Sequence, residues 1–178
     1  MSTAVRVATE AGLWLYVRGV HQLMAMPADL IERALLVDEA PVPQWPEAIG
    51  PAIAPAGCVG RLEIRGAAYG AWDLGLLLGG EAARRSWILL RLPHAGAAVP
   101  VALRTDECLH VGVLPRLRRL ELPAGVLPER RVFRAAFPAA DAGGARGGGA
   151  LVGLEMDLGG LLSDYELEFT NELVRHHA

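Results

Sequence analysis

The chain has 178 residues, enough for one domain or two small, tightly joined ones, with a core that needs no staple. At 52% hydrophobic and 21% charged residues it reads as globular, not disordered. A formal net charge of −3 and only 6% aromatics argue against a nucleic-acid binder, which needs a basic face and stacking rings.

In chain order, residues 1–12 read as a loose leader, without the basic segment and apolar core of a signal peptide. LWLYVRG (13–19) is rich in branched and aromatic residues and predicts a strand, with Gly19 as a turn. VHQLMAMP (20–27) predicts a second strand closing a hairpin. DLIERALLV (29–37) fits helix and strand equally by period. Prolines at 41, 43, 46, 51 and 55 then make an extended connector. CVGRLEIRG (58–66) alternates Val59, Leu62 and Ile64 with Arg61, Glu63 and Arg65, which predicts a half-buried strand running to Gly66. AAYGAWDLGLLLGG (67–80) predicts a strand and a short apolar turn. Strands follow at 86–92, 98–105 and 108–114, and 116–123 alternates in part. The stretch 139–150 is small and glycine-rich and predicts a surface loop; it lacks the Gly-Lys-Ser/Thr of a phosphate cradle. Residues 149–162 predict strand plus turn. The last segment, 163–177, has Ser163 as N-cap, acids in its first turn and Arg/His at its end, which suits a helix and its dipole. Many short strands and one terminal helix predict an all-β architecture of small barrels or a sandwich.

An internal repeat divides this pattern into two halves. Trp14-Leu15-Tyr16-Val17-Arg18 is echoed by Trp87-Ile88-Leu89-Leu90-Arg91. Asp73-Leu74-Gly75-Leu76-Leu77-Leu78 is echoed by Asp157-Leu158-Gly159-Gly160-Leu161-Leu162. The same order in both halves predicts two similar barrels, one over 13–84 and one over 86–162, followed by the helix.

Chemistry is poorly represented. Ser2, Ser86 and Ser163 lie outside any G-x-S-x-G, and His21, His94 and His110 have no metal-ligand spacing. Asp73 and Asp157 suggest a carboxylate pair, but each holds the same strand-to-turn position, where an aspartate accepts backbone N–H bonds. Cys58 and Cys108 sit in apolar surroundings as small hydrophobes. No catalytic residue, metal or cofactor is expected. No run approaches the ~18 apolar residues of a membrane span, so a cytoplasmic location is expected. Every basic residue is arginine. Arg116, Arg118, Arg119, Arg130, Arg131 and Arg134 crowd one region; Glu155, Asp157, Asp164, Glu166, Glu168 and Glu172 crowd another. Such faces suit charge-steered docking with proteins.

A resemblance enters at Gly60–Leu74. G-x-x-x-x-R-G-x-x-x-x-x-x-D-L after a proline-rich connector resembles the G-V-x-N-L-R-G-x-x-x-P-V-x-D-L signature of CheW-like domains, with Gly60, Arg65, Gly66, Asp73 and Leu74 in register. Ala25-Met26-Pro27 with Ile31 resembles the family's first hairpin, and Asp106–Val111 its V-D-E-V-x-x-V strand. Leu151–Leu162 resembles its closing segment. The resemblance spans about 13–175. It implies two SH3-like five-stranded β-barrels side by side with a C-terminal helix. It also implies a non-catalytic cytoplasmic adaptor at membrane receptor arrays, joining the tips of chemoreceptors to the regulatory domain of a CheA-type histidine kinase. Arg65, with Arg33 and Glu32, is implied at the receptor-facing surface, and Ile31 and Glu63 among the kinase contacts. Gly60, Gly66, Asp73, Asp106 and Asp157 are implied as turn-forming residues.

The chain also departs from the pattern. Glu63 stands for the usual asparagine and Gly70 for the usual proline. The family's glutamate seat two places after Ile31 holds Arg33, with Glu32 one place away. In that register Arg33 and Arg65 repel unless a partner carboxylate intervenes, which implies a divergent adaptor. The alternatives are a small-barrel nucleic-acid binder, a CheW-like fold serving another protein partner, and an enzyme with a site joining Asp73, Asp157 and a histidine.

Overall fold

The computed structural model describes residues 12–19, 22–114, 120, 122, 132–138 and 152–176. Among these residues ten strands form two five-stranded sheets. In chain order they are β1 (Leu13–Gly19), β2 (Gln22–Pro27), β3 (Ile31–Leu36), β4 (Cys58–Ile64), β5 (Ala67–Asp73), β6 (Ser86–His94), β7 (Ala97–Thr105), β8 (Glu107–Val113), β9 (Phe133–Pro138) and β10 (Val152–Met156). A four-residue helix, α1 (Leu74–Leu77), follows β5, and α2 (Asp164–Arg175) follows β10.

One sheet has the order β8-β1-β2-β10-β9 and the other β3-β6-β7-β5-β4. Each contains one parallel pair, β2 with β10 and β7 with β5. The sheets therefore correspond under the exchange of β1–β5 with β6–β10, as the sequence repeat implies. The partition at residue 85 does not hold. Each sheet takes a hairpin from one half (β1–β2 or β6–β7) and three strands from the other. The repeat locates equivalent strands; it carries no information about which half each strand pairs with.

This exchange explains the apolar composition. Leu15 and Val17 on β1 face a central cluster between the sheets, with Met24, Met26, Trp72, Ile88, Leu90, Val101 and Leu103. Tyr16 on the same strand faces a second cluster with Ala25, Leu114 and Phe137. On β6, Ile88 and Leu90 join the central layer while Trp87 and Leu89 join a third cluster with Leu62, Tyr69 and Ala102. Strands buried on both faces read as continuous apolar runs.

The ambiguous 29–37 segment resolves into a 3-10 turn at Ala28–Leu30 and then the edge strand β3, on which Ile31 packs against the central cluster and Leu35 against the third. The predicted apolar turn after β5 is α1. Strand β9 was not anticipated from the sequence. The 116–123 prediction lies outside the described residues except for Leu120, which bridges Ala136, and Leu122. The 139–150 loop prediction and Arg116, Arg118, Arg119, Arg130 and Arg131 lie outside them altogether.

Helix α2 starts with a capping box. The Ser163 N–H donates to Glu166 Oε2 at 2.8 Å, and the Glu166 N–H donates to Ser163 Oγ at 3.3 Å. The helix buries Leu167, Phe169, Thr170 and Leu173. Trp72 Nε1 donates to Thr170 Oγ1 at 3.0 Å, which in turn donates to the Glu166 carbonyl at 2.6 Å. Gly70 makes this seat possible: a Cβ there would lie 2.4 Å from Thr170 Cγ2. The glycine that stands where the resemblance has proline is thus explained by helix packing.

Candidate protein-interaction surface

The β4–β5 connection closes on the pair Ile64↔Ala67, leaving Arg65 and Gly66 as a two-residue turn. Their φ angles are +51° and +79°, the left-handed pair of a type I′ hairpin. Arg65 is therefore exposed at a turn, not on a strand as the alternation predicted. Turns of this type usually announce themselves with Asn-Gly or Asp-Gly, and Arg-Gly carries no such signal. The β6–β7 hairpin repeats the geometry with Ala95 at φ +48° and Gly96 at +79°. Because β5 and β7 run parallel, both tips project from the same end of the sheet.

Gly60 (φ +121°) sits beside a β4 bulge, and a Cβ there would lie 2.9 Å from the Gln44 carbonyl oxygen. Gly66 needs its glycine only for φ, since the space around it is open. Asp73 is fully buried. It accepts from the Leu76 N–H at 3.0 Å, from the Ala83 N–H at 3.0 and 3.1 Å through its two oxygens, and from Arg104 Nε at 2.7 Å. Arg104 also lies 5.5 Å over the Trp87 ring. Asp157, the equivalent residue, accepts from the Gly159 N–H at 3.0 Å and pairs with Arg134 at 2.8 Å, nearer the surface. The Asp106 N–H donates to the Arg18 carbonyl at 3.1 Å, tying the β7–β8 corner to β1. The Asp73 carboxylate is thus committed to its own turn. Among the described residues no three His, Cys, Asp or Glu side chains gather as a metal set.

Glu32 is the extra residue of a bulge in β3, between Ile31 and Arg33. Arg91 Nε donates to Glu32 Oε1 at 2.8 Å and the Tyr69 hydroxyl donates to Oε2 at 2.9 Å, while Arg91 lies 5.6 Å over the Tyr69 ring. Burial alone would raise the Glu32 pKa. The hydrogen bonds from Arg91 and Tyr69, with the Arg91 charge, outweigh it and hold the carboxyl below its usual value. Burial and the neighbouring carboxylate push the Tyr69 hydroxyl up, and the bond to Glu32 raises Arg91.

The arginine that meets Glu32 is therefore Arg91. Arg33 pairs in register with Leu89, Leu89 with Ala102, Ala102 with Ala71 and Ala71 with Gly60. Arg65 lies five residues beyond Gly60, roughly 16 Å along the strand direction at ~3.3 Å per residue. That spacing exceeds a Debye length at physiological salt, about 8 Å, so the expected repulsion between Arg33 and Arg65 does not arise. Ile31 is half-buried against the central cluster. Glu63 is exposed and accepts from Arg61 Nη1 at 3.1 Å. Sequence reading missed Arg91, Tyr69 and Arg61, whose roles depend on which strands become neighbours. Cys58 and Cys108 are half-buried and unpaired, and burial pushes the Cys58 thiol up to about 11, where it is unreactive.

No family model and no curated protein matches this sequence. Among solved structures the chain is similar to the scaffolding protein TtCheW from Thermoanaerobacter tengcongensis, at 12% identity and a TM-score of 0.63. The match covers 88% of this chain and 97% of that one. The fold is CheW-like.

Proposed function

We propose that this chain is a non-catalytic adaptor that couples chemoreceptors to the regulatory domain of a CheA-type histidine kinase in a chemotaxis-like signalling pathway. The observation that carries this reading is the likeness of nearly the whole chain, both sheets included, to a protein whose own title is that of a scaffold. Fold likeness is a weaker warrant than a shared site, so the surface must agree with it. The Arg65 turn supplies an exposed cation on a rigid hairpin. On the edge pair β1–β8, Leu13, Val111 and Val113 are 59%, 56% and 51% exposed, an apolar strip suited to a modest protein interface.

In this reading Arg65 and Arg33 meet the receptor tip, while Glu32 acts through Arg91 by holding that side chain. Ile31 and Glu63 lie on the kinase side. No helix among the described residues is long and apolar enough to cross a membrane; in this reading the adaptor reaches the membrane through the receptor.

The test is a calorimetric titration with the regulatory domain of a CheA-type kinase from the same organism, using wild type and Arg65→Glu in parallel. Saturable one-to-one binding by both proteins is expected, because Arg65 is reserved for the receptor. Absence of heat change up to ~100 μM, about 5.5 kcal/mol of binding free energy, would remove the kinase-coupling role.

A further inference from the structure

Strand β4 is the last strand of its sheet. Beside it lies a recess of about 230 Å3, with Pro41, Val42 and Gln44 on one wall and Arg61, Glu63 and Arg65 on the other. Arg61 is the unusual member. A guanidinium keeps its charge at any pH a protein survives, yet this residue is only 7% exposed. Glu63 takes one of its nitrogens, and its Nε is buried without an acceptor among the described residues. A buried donor left unpaired destabilises a fold, so an incoming acceptor has something to repair. Arg61 and Arg65 against Glu63 leave the recess with one positive charge, on a chain whose formal net charge is −3.

The edge itself adds a second feature. Gln44 and Arg61 exchange backbone N–H···O bonds of 2.8 and 2.7 Å on the outer side of β4. Backbone groups alternate along a strand, so Glu63, two residues on, turns its N–H and C=O toward the same outer side. Val42, which the antiparallel register of Gln44 with Arg61 sets opposite Glu63, makes no backbone hydrogen bond to it and is 79% exposed.

We propose that this edge takes an extended acidic segment of a protein partner, which pairs its backbone with Glu63 and seats one carboxylate on the guanidinium groups of Arg61 and Arg65. Main-chain pairing supplies affinity and the arginine fork selects the acidic residue. The backbone edge favours a peptide over a nucleic acid, which has no such groups to pair. The proposal rests on the adaptor reading in one respect, that the ligand is a protein; it does not require a receptor or a kinase.

The test is an NMR titration of the 15N-labelled full chain with the acetylated, amidated peptide Thr-Val-Glu-Val-Thr. Its Gln counterpart, a version N-methylated beside the Glu, and inorganic phosphate serve as comparisons. Saturable amide shifts confined to Val42, Gln44 and residues 61–66 are expected with the Glu peptide. The Gln peptide should bind about tenfold more weakly, the loss of one charge-assisted hydrogen bond, and the N-methylated peptide weaker still. Arg65→Gln, an exposed change that leaves the core untouched, should weaken the Glu peptide several-fold; Arg61→Met should do the same if it folds. Shifts absent up to about 5 mM, equal binding of the Glu and Gln peptides, or the same shifts from phosphate alone would overturn the proposal. A silent recess beside intact kinase binding removes only this proposal; a responsive recess beside absent kinase binding removes only the kinase role.

Discussion

Arg65 and Ala95 occupy the first position of two equivalent turns at φ +51° and +48°. A left-handed conformation costs an L-residue with an ordinary side chain about 1–2 kcal/mol, and asparagine less because its amide bonds locally. Arg65→Asn and Ala95→Asn should therefore each stabilise the protein by about 0.5–1 kcal/mol. For a chain of this size each kcal/mol corresponds to about 2–4 °C in Tm. Urea unfolding with an unchanged m-value isolates the effect from changes in the unfolded state. Binding separates the two sites. Ala95→Asn should leave every interaction unchanged, whereas Arg65→Asn should weaken the acidic peptide several-fold, as for Arg65→Gln, through loss of the guanidinium's charge-assisted bond. A gain at Ala95 with a loss at Arg65 would show that the guanidinium supports the fold, and the argument for an arginine kept for recognition would fail. No gain at either site would refute the strain argument itself.

Asp73→Ala should cost about 3–5 kcal/mol, because it uncaps α1, orphans the buried Ala83 N–H and strips Arg104 of its partner. Asp157→Ala should cost about 1 kcal/mol, since its turn and Arg134 are open to water; equal losses in chemical denaturation would contradict the burial argument. Gly60→Ala should lower stability by at least about 1 kcal/mol by thermal melting, through the positive φ and the clash with Gln44, and a neutral result would remove the need for glycine there. The folded pKa of Glu32 is depressed, so its contribution is present above the unfolded value near 4.3 and is lost as pH falls through the folded one. Glu32 is about a third exposed, so the effect should stay below about 1 kcal/mol after screening. The stability gap between wild type and Glu32→Gln should be full above the unfolded carboxyl value and should close as pH falls below the usual carboxylate range; a gap that persists in strong acid would place its origin elsewhere.

The legible parts of this sequence are those set by neighbours along the chain. The alternation of β4, the N-cap at Ser163 and the D-L-G turns at Asp73 and Asp157 all rest on residues a few positions apart. So does the demand for glycine at residue 66. The terminal helix and most strands follow from the same short-range patterns. Arg65 was found as a residue but misplaced as a structure, because the last polar position of an alternating strand and the first of an Arg-Gly turn look alike in sequence. Strand β9 escaped for a related reason, since FRAAFP lies between segments whose glycines and prolines dominate the reading.

What the sequence hides is pairing across the exchange of strands. Glu32 finds Arg91, 59 residues away, and Tyr69, 37 residues away, only because β3 lies beside β6 and the Tyr69 side chain reaches across β7 from β5. Each half repeats the same motifs, so the repeat predicts equivalent strands but is indifferent to whether a hairpin packs with its own half or the other. The interaction surface inherits that indeterminacy. Its tips, β4–β5 and β6–β7, come from different halves and share one end only because β5 and β7 run parallel. The exchange has a further consequence for stability. Neither half can complete a sheet alone, so separating residues 12–84 from 85–176 should leave two chains with unpaired edges and an exposed central layer, where the intact chain buries Trp72 and Ile88 completely. A chain built this way keeps its two hairpin tips at a fixed spacing, because displacing one against the other requires breaking the shared core.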